Sequence, residues 1–218
     1  MREIRRAVFA CGGTGGHVFP AVAIADELRR RLDRVQILFV GAENGMENEL
    51  VPRAGYEIVA LPIAGFRRRL NFANIRRNLL LPLKFARSFW QSVRLLRSFR
   101  PDLAVGTGGY ASFPVLRASA GFDDVVRVVQ EQNAYPGLAN RLLAPFAHAI
   151  LLGDSAAQKY FPPGKCRHTG NPVTDCSSVG RSKKTKSSFL SRAAVWAPPP
   201  STTRSADTSM QCSTPAST

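Results

Sequence analysis

His17 stands at the end of the run Ala10-Cys11-Gly12-Gly13-Thr14-Gly15-Gly16-His17-Val18-Phe19-Pro20. An imidazole changes charge near neutral pH, so at the mouth of a binding turn it can act as a base or as a hydrogen-bond donor. The glycines before it permit positive φ and let a ligand approach the backbone closely. A helix beginning there offers unpaired N–H groups to an anion. A diphosphate is the natural guest of such a turn. The plainer alternative, that the glycines only satisfy strand-to-helix geometry, stays open on these residues alone. Two familiar glycine motifs fail: Val18 stands where Gly13-x-Gly15-x-x would need a third glycine, and no Gly-Lys-Ser/Thr follows for a P-loop. A nicotinamide oxidoreductase is disfavoured on that ground, and Glu43, in the loop after the second strand, reads as a solvated acid or one that binds something other than a nicotinamide ribose.

Two further stretches carry polar groups that could join His17. Gly106-Thr107-Gly108-Gly109-Tyr110-Ala111-Ser112 is a second glycine turn leading into a helix near Pro114, and so a second anion-friendly helix start. Gln130-Glu131-Gln132-Asn133-Ala134-Tyr135-Pro136-Gly137 is a polar loop directly after an apolar run. Polar residues at the carboxyl ends of parallel strands converge on the crevice where α/β sheets bind ligands, which singles out Glu131 and Asn133.

The elements that must position these groups follow from the hydrophobic pattern. Residues 6–11, 35–40, 56–61, 102–106, 125–129 and 148–152 are short apolar runs of the kind that fill buried strands, and residues 166–173 form a short extended segment. Helical spacing of Ala21, Ile24, Ala25, Leu28 and Leu32 predicts a helix after the first turn, with Pro20 in its opening turn. Residues 46–54 and 138–147 read as further helices. Strands alternating with helices predict an α/β fold, a parallel sheet covered on both faces.

The chain of 218 residues has 44% hydrophobic content, enough to bury a core, and 30 Lys+Arg against 15 Asp+Glu give a net charge of +15. Such an excess implies an anionic partner: a phosphorylated substrate, an acidic lipid or nucleic acid. Cys11, Cys166, Cys176 and Cys212 include no C-x-x-C pair, so neither a zinc site nor a disulfide framework is signalled, which fits a reducing cytoplasm. Residues 7–11 are too short for a signal-peptide core, and no run reaches the ~18 apolar residues of a membrane span. The expectation is a soluble protein or one attached to a membrane face.

Residues 65–100 are distinctive in carrying no acid. Leu79, Leu80, Phe85, Phe89 and Trp90 are interleaved with Arg76, Arg77, Lys84 and Arg87. Apolar bulk ringed by cations fits a surface that dips into an anionic bilayer, where each basic residue contributes about 1 kcal/mol. In the competing reading most of these residues are core and the arginines solvate the outer face.

Taken together, Gly12-Gly13-Thr14-Gly15-Gly16-His17-Val18-Phe19-Pro20, Gly108-Gly109-Tyr110-Ala111-Ser112, Glu131-Gln132-Asn133 and Gly170-Asn171-Pro172-Val173 resemble, in order and approximate spacing, the MurG family. Its members are the UDP-N-acetylglucosamine:undecaprenyl-diphospho-muramoyl-pentapeptide N-acetylglucosamine transferases of bacterial peptidoglycan synthesis. The likeness covers about residues 2–173. It implies a GT-B architecture of two Rossmann-like halves, of which residues 1–173 are the N-terminal, acceptor- and membrane-side domain. It further implies an inverting transfer of GlcNAc from UDP-GlcNAc to the C4 hydroxyl of the lipid-linked muramoyl acceptor, with no metal or cofactor in the chemistry. By this resemblance His17 matches the base, Thr14, Gly15 and Gly16 match donor-contacting positions, and Asn133 matches a contact to the donor sugar. Tyr110 and Glu131 match active-cleft residues, with Glu131 counted among the catalytic groups. The stretch from Phe66 to Arg100 is similar to the family's membrane-facing patch. The implied location is the cytoplasmic face of the inner membrane, as a peripheral protein against anionic lipids, with no nucleic acid involved.

Two positions depart from the family pattern. Gln130 stands where many members have His, and Thr174 stands where the family places a donor-binding Arg. From residue 174 to 218 no sustained helix or strand period continues, and Ser, Thr and Pro crowd together. Such a composition buries too little apolar surface to offset its ordering entropy, so a disordered tail is expected in place of a C-terminal nucleotide-binding domain. A truncated or frameshifted enzyme with little activity by itself is one expectation. A noncatalytic, membrane-attached module that binds lipid diphosphates is the other.

Overall fold

Alternate residues of a strand point to opposite faces of its sheet, and the first apolar run of this chain shows it directly. In the computed structural model, which describes residues 3–32, 34–63 and 81–173, Val8 and Ala10 enter one buried cluster and Ala7, Phe9 and Cys11 enter another. Strand β1 (Arg6–Ala10) is therefore sandwiched between two hydrophobic layers, as an all-parallel sheet requires.

The remaining strands are β2 (Gln36–Ala42), β3 (Glu57–Leu61), β4 (Leu103–Gly106), β5 (Val126–Glu131), β6 (Ala149–Leu152) and β7 (Cys166–His168). Their order across the sheet is β3-β2-β1-β4-β5-β6-β7, and every pairing is parallel. From β1 the chain winds outward through β2 to β3, then returns to the other side of β1 with β4. The order reverses between β1 and β4, so a crevice opens at their carboxyl ends. Both glycine turns leave the sheet at that point.

Helices cover both faces. Helix α1 (Gly15–Arg31) lays Val18, Ala21, Ile24 and Leu28 on the Phe9 side, where the rings of Phe9 and Phe39 stack with centroids 5.3 Å apart. Val51 of α2 (Glu47–Arg53) joins the same side. Leu96 of α3 (Leu81–Phe99), Leu116 of α4 (Ser112–Ser119) and Leu143 of α5 (Leu138–Leu143) close the opposite face.

Helix α1 starts earlier than its sequence suggests. It begins at Gly15, so Pro20 lies in the second turn and not the first. Thr14 is the last extended residue, and its carbonyl accepts from the amides of His17 and Val18, so the glycine turn itself winds into the helix. Proline supplies no N–H to the carbonyl four residues back, and the buried Pro20 ring is kept here for packing.

Helix α3 divides the residues that were expected at a bilayer. Phe89 packs on the core, and the Phe85 ring lies 5.3 Å from that of Phe113, so both are half-buried and take the core side of the two readings. A helix resting on a sheet turns its inward stripe to the nearest apolar surface, whatever the overall apolar content. Trp90 is 67% exposed and Leu83 is 69% exposed, beside the exposed Lys84 and Arg87. Arg76, Arg77, Leu79 and Leu80 lie outside the described residues, as does the stretch from 174 to 218. Among the described residues no helix is long and apolar enough to cross a membrane.

Candidate active site

The floor of the crevice is made of backbone. Gly12, at the end of β1, meets Gly109 of the second turn so closely that a Cβ on Gly109 would fall inside the Gly12 carbonyl. Gly109 has φ +82° and Gly108 has φ +106°, a left-handed region that side chains strain to enter, so only glycine fits both the space and the conformation. The amide of Thr107 donates to the Ala10 carbonyl at 3.2 Å, and its hydroxyl donates to the carbonyl of His17 at 2.7 Å. The two glycine turns are thus fastened to each other before any ligand arrives.

Over this floor the amides of Gly15 and Gly16 precede the first intrahelical hydrogen bond of α1. The Thr14 side chain makes no capping bond, and the first turn holds no acid. Thr14 and Gly16 are exposed and Gly15 is partly so. The open end of a 17-residue helix, with no side-chain cap and no acidic residue in its first turn, attracts negative charge.

A buried carboxylate supports the turn from below. Glu47 is 0% exposed and accepts from the amide of Gly13 at 3.1 Å and of Ala42 at 2.8 Å. It joins the start of α2 to the glycine turn 34 residues earlier in the chain. Cys11 lies beside it, and burial together with the neighbouring carboxylate pushes its thiol well above the usual range, so Cys11 is a packing residue and not a nucleophile.

The rim carries the side chains. His17 is half-buried with its ring against Gly108, where a Cβ would come within 2.7 Å of the imidazole. Its Nδ1 lies 3.3 Å from Oε1 of Gln132. Tyr110 is 49% exposed and leans toward Gly13. Asn133 is exposed at the tip of the loop after β5. His17 in the first turn of α1, Tyr110 in the turn after β4 and Asn133 in the loop after β5 therefore stand around one crevice, as the strand-end rule anticipates.

Glu131 is placed differently from the catalytic position expected of it. It is 0% exposed, and both carboxylate oxygens are occupied. One accepts from the amide and the side chain of Asn133, each at 3.0 Å; the other accepts from the Gly137 amide at 3.0 Å and Asn140 Nδ2 at 2.9 Å. A carboxylate so enclosed shapes the loop and does not reach the open crevice. Asn171, in the Gly170-Asn171-Pro172 motif, donates from Nδ2 to the carbonyl of Gln132 at 3.2 Å, bringing the fourth motif to the same rim.

Glu47, Thr107, Gln132 and Asn140 went unremarked as contributors in the sequence. Thr107 and Gln132 sit inside motifs picked out for their neighbours, whereas Glu47 and Asn140 are polar residues in helical stretches whose only signal is position near a strand end.

Comparison with known proteins gives a consistent picture. The glycosyltransferase family 28 N-terminal domain matches residues 7–152. A UDP-N-acetylglucosamine--N-acetylmuramyl-(pentapeptide) pyrophosphoryl-undecaprenol N-acetylglucosamine transferase of Amoebophilus asiaticus is 48% identical over 168 residues, covering 77% of this chain and 45% of the relative. The protein of the same name from Bacteroides fragilis is 47% identical over 168 residues, covering 77% of this chain and 43% of the relative. The crystal structure of Acinetobacter baumannii MurG superposes with a TM-score of 0.60 at 25% identity, covering 74% of this chain and 44% of that one. The chain thus spans a little under half the length of the curated relatives it matches. The seven-stranded sheet is that of a GT-B N-terminal, Rossmann-like domain.

Proposed function

This chain belongs to glycosyltransferase family 28, and from that premise we propose that it is the N-terminal half of an inverting N-acetylglucosaminyltransferase. The donor is UDP-GlcNAc and the acceptor is the C4 hydroxyl of undecaprenyl-diphospho-MurNAc-pentapeptide. Residues 1–173 form the acceptor- and membrane-side domain. The reading rests above all on one observation, the uncapped start of α1 set against a second glycine turn with the His17 imidazole at their shared rim.

In this mechanism the acceptor oxygen forms a bond to the anomeric carbon on the face opposite the nucleotide. The bond from that carbon to the diphosphate oxygen breaks, and the hydroxyl proton passes to the imidazole of His17. The amides of Gly15 and Gly16, with Thr14, face the charge on the diphosphate, where fixed dipoles stabilise the leaving group without reorganising. Tyr110 and Asn133 bound the sugar. Glu131 acts through Asn133 and the loop it ties down, and is a positioning residue.

The test supplies the other wall of the cleft. Fused to the C-terminal half of the Bacteroides fragilis relative, the chain should transfer radiolabelled GlcNAc to a lipid-linked muramoyl acceptor, whereas by itself it should transfer little. A folded fusion that binds UDP-GlcNAc and yet transfers no sugar would sink the reading.

Attachment to the cytoplasmic face of an anionic membrane is the second part of the proposal. It is supported by Trp90 and Leu83, 67% and 69% exposed, beside Lys84 and Arg87 on α3, and by the net charge of +15. The chain should cosediment with anionic vesicles and lose them as salt rises, while neutral vesicles leave it in solution. Equal binding to both would remove the electrostatic attachment.

A further inference from the structure

The side-chain amide of Gln132 has a neighbour at each of its polar atoms. Its Nε2 donates to the backbone carbonyl of Thr107 at 2.9 Å and makes a close contact with Oε1 of Gln130. A backbone carbonyl can only accept, so the atom facing it must be the amide nitrogen, and the orientation of the Gln132 amide is fixed by chemistry. The remaining atom, Oε1, is an acceptor only, and it lies 3.3 Å from Nδ1 of His17. If Nδ1 carried a lone pair, two acceptors would face each other; if it carries a proton, the contact is a hydrogen bond.

We propose that Gln132 is a positioning residue that sets the tautomer of His17, holding the ring proton on Nδ1 and leaving the lone pair on Nε2. Which nitrogen of a neutral imidazole is protonated follows from the hydrogen bond its other nitrogen makes, so one fixed acceptor is sufficient. The hydroxyl of Thr107 holds the His17 carbonyl at 2.7 Å, and the imidazole lies over Gly108, where a Cβ would come within 2.7 Å of it. Gln132 is also held at its main chain, where Asn171 donates to its carbonyl, and the Gln130 side chain it contacts is 0% exposed. Gln130 spends its Oε1 on this contact, and its own Nε2 is buried without a hydrogen-bond partner among the described residues. A buried amide left half-satisfied costs stability, which is consistent with a group retained to orient its neighbour.

This inference deepens the proposed reaction, in which His17 accepts the proton through Nε2, and its test needs no turnover. In alkaline buffer, long-range ¹H–¹⁵N correlation of the histidine-labelled chain reports the tautomer of each of the 3 histidines. Loss of one signal set in His17→Gln identifies His17. The parent chain should show His17 chiefly as the Nδ1–H form. Gln132→Leu, which removes the acceptor, should turn that form into the minority. A parent spectrum dominated by the Nε2–H form overturns the proposal even if the leucine variant fails to fold. An unchanged tautomer ratio in a folded Gln132→Leu chain overturns it as well. A negative transfer assay leaves these spectra unaffected, so failure of the reaction and failure of the tautomer lock are told apart.

Discussion

The His17→Ala form of the fused enzyme should transfer GlcNAc about 10²–10⁴-fold more slowly than its parent, the range associated with losing a positioned general base. The structure makes this a clean substitution. His17 is tied to the second glycine turn through its main-chain carbonyl, which the Thr107 hydroxyl reaches at 2.7 Å, and that bond survives truncation of the ring. The α1 backbone keeps its bond from the His17 amide to the Thr14 carbonyl. Donor affinity should therefore change little while turnover collapses, a split that places the loss in the transition state. Steady-state kinetics with varied UDP-GlcNAc reads both quantities. A loss of less than about threefold in turnover would take the proton-transfer role away from this residue.

Glu131→Ala should have the second large effect, on folding rather than on chemistry. Removing the carboxylate strips four donors of their acceptor: the amides of Asn133 and Gly137 and the side chains of Asn133 and Asn140. Hydrogen bonds to a charged group contribute about 1.5–3 kcal/mol each, so even with partial rehydration of the exposed Asn133 the loss should reach about 3 kcal/mol. Against a typical domain stability of about 5–15 kcal/mol this is a large fraction. Glutamine does not repair the defect. Each carboxylate oxygen faces two N–H donors, so whichever way the amide of Glu131→Gln turns, its NH₂ group meets donors. Denaturant unfolding of the chain itself measures both variants. If either retains parental stability, Glu131 is not the keystone of its loop.

Much of this site could be read from the residues in order, because its parts are local. Each glycine turn follows its own apolar run, and the run that precedes Glu131 ends where the strand ends. What escaped the sequence is long-range or depends on direction. The sequence points to a later start of α1 because Pro20 fits a first turn by its fixed φ, while the actual start goes with the extended Thr14 and the bond from Thr107, just after β4, to the His17 carbonyl. The support from Glu47 spans 34 residues and that from Gln132 to His17 spans 115, distances over which no periodicity speaks. Helix α3 misled for another reason. Its inward stripe is built from Phe85, Ser88, Phe89, Ser92 and Leu96, and the two serines are fully buried, with the Ser92 hydroxyl donating to the Ser88 carbonyl at 2.7 Å. A reading that follows apolar residues alone cannot tell such a stripe from the face that holds Leu83 and Trp90. Glu131 misled because a carboxylate beside a crevice looks the same in sequence whether its oxygens face water or four amides.

The strip where Gly12 and Gly109 touch has no side chain of its own. Whatever molecule lies across it is met there by peptide groups, which are common to every protein and indifferent to the identity of the sugar. In the proposed reaction, discrimination between one hexose and another is left to the edge, where Tyr110 and Asn133 are proposed to bound the sugar. On that reading, changing the preferred sugar would be a matter of editing the border, and the central tiles could stay as they are.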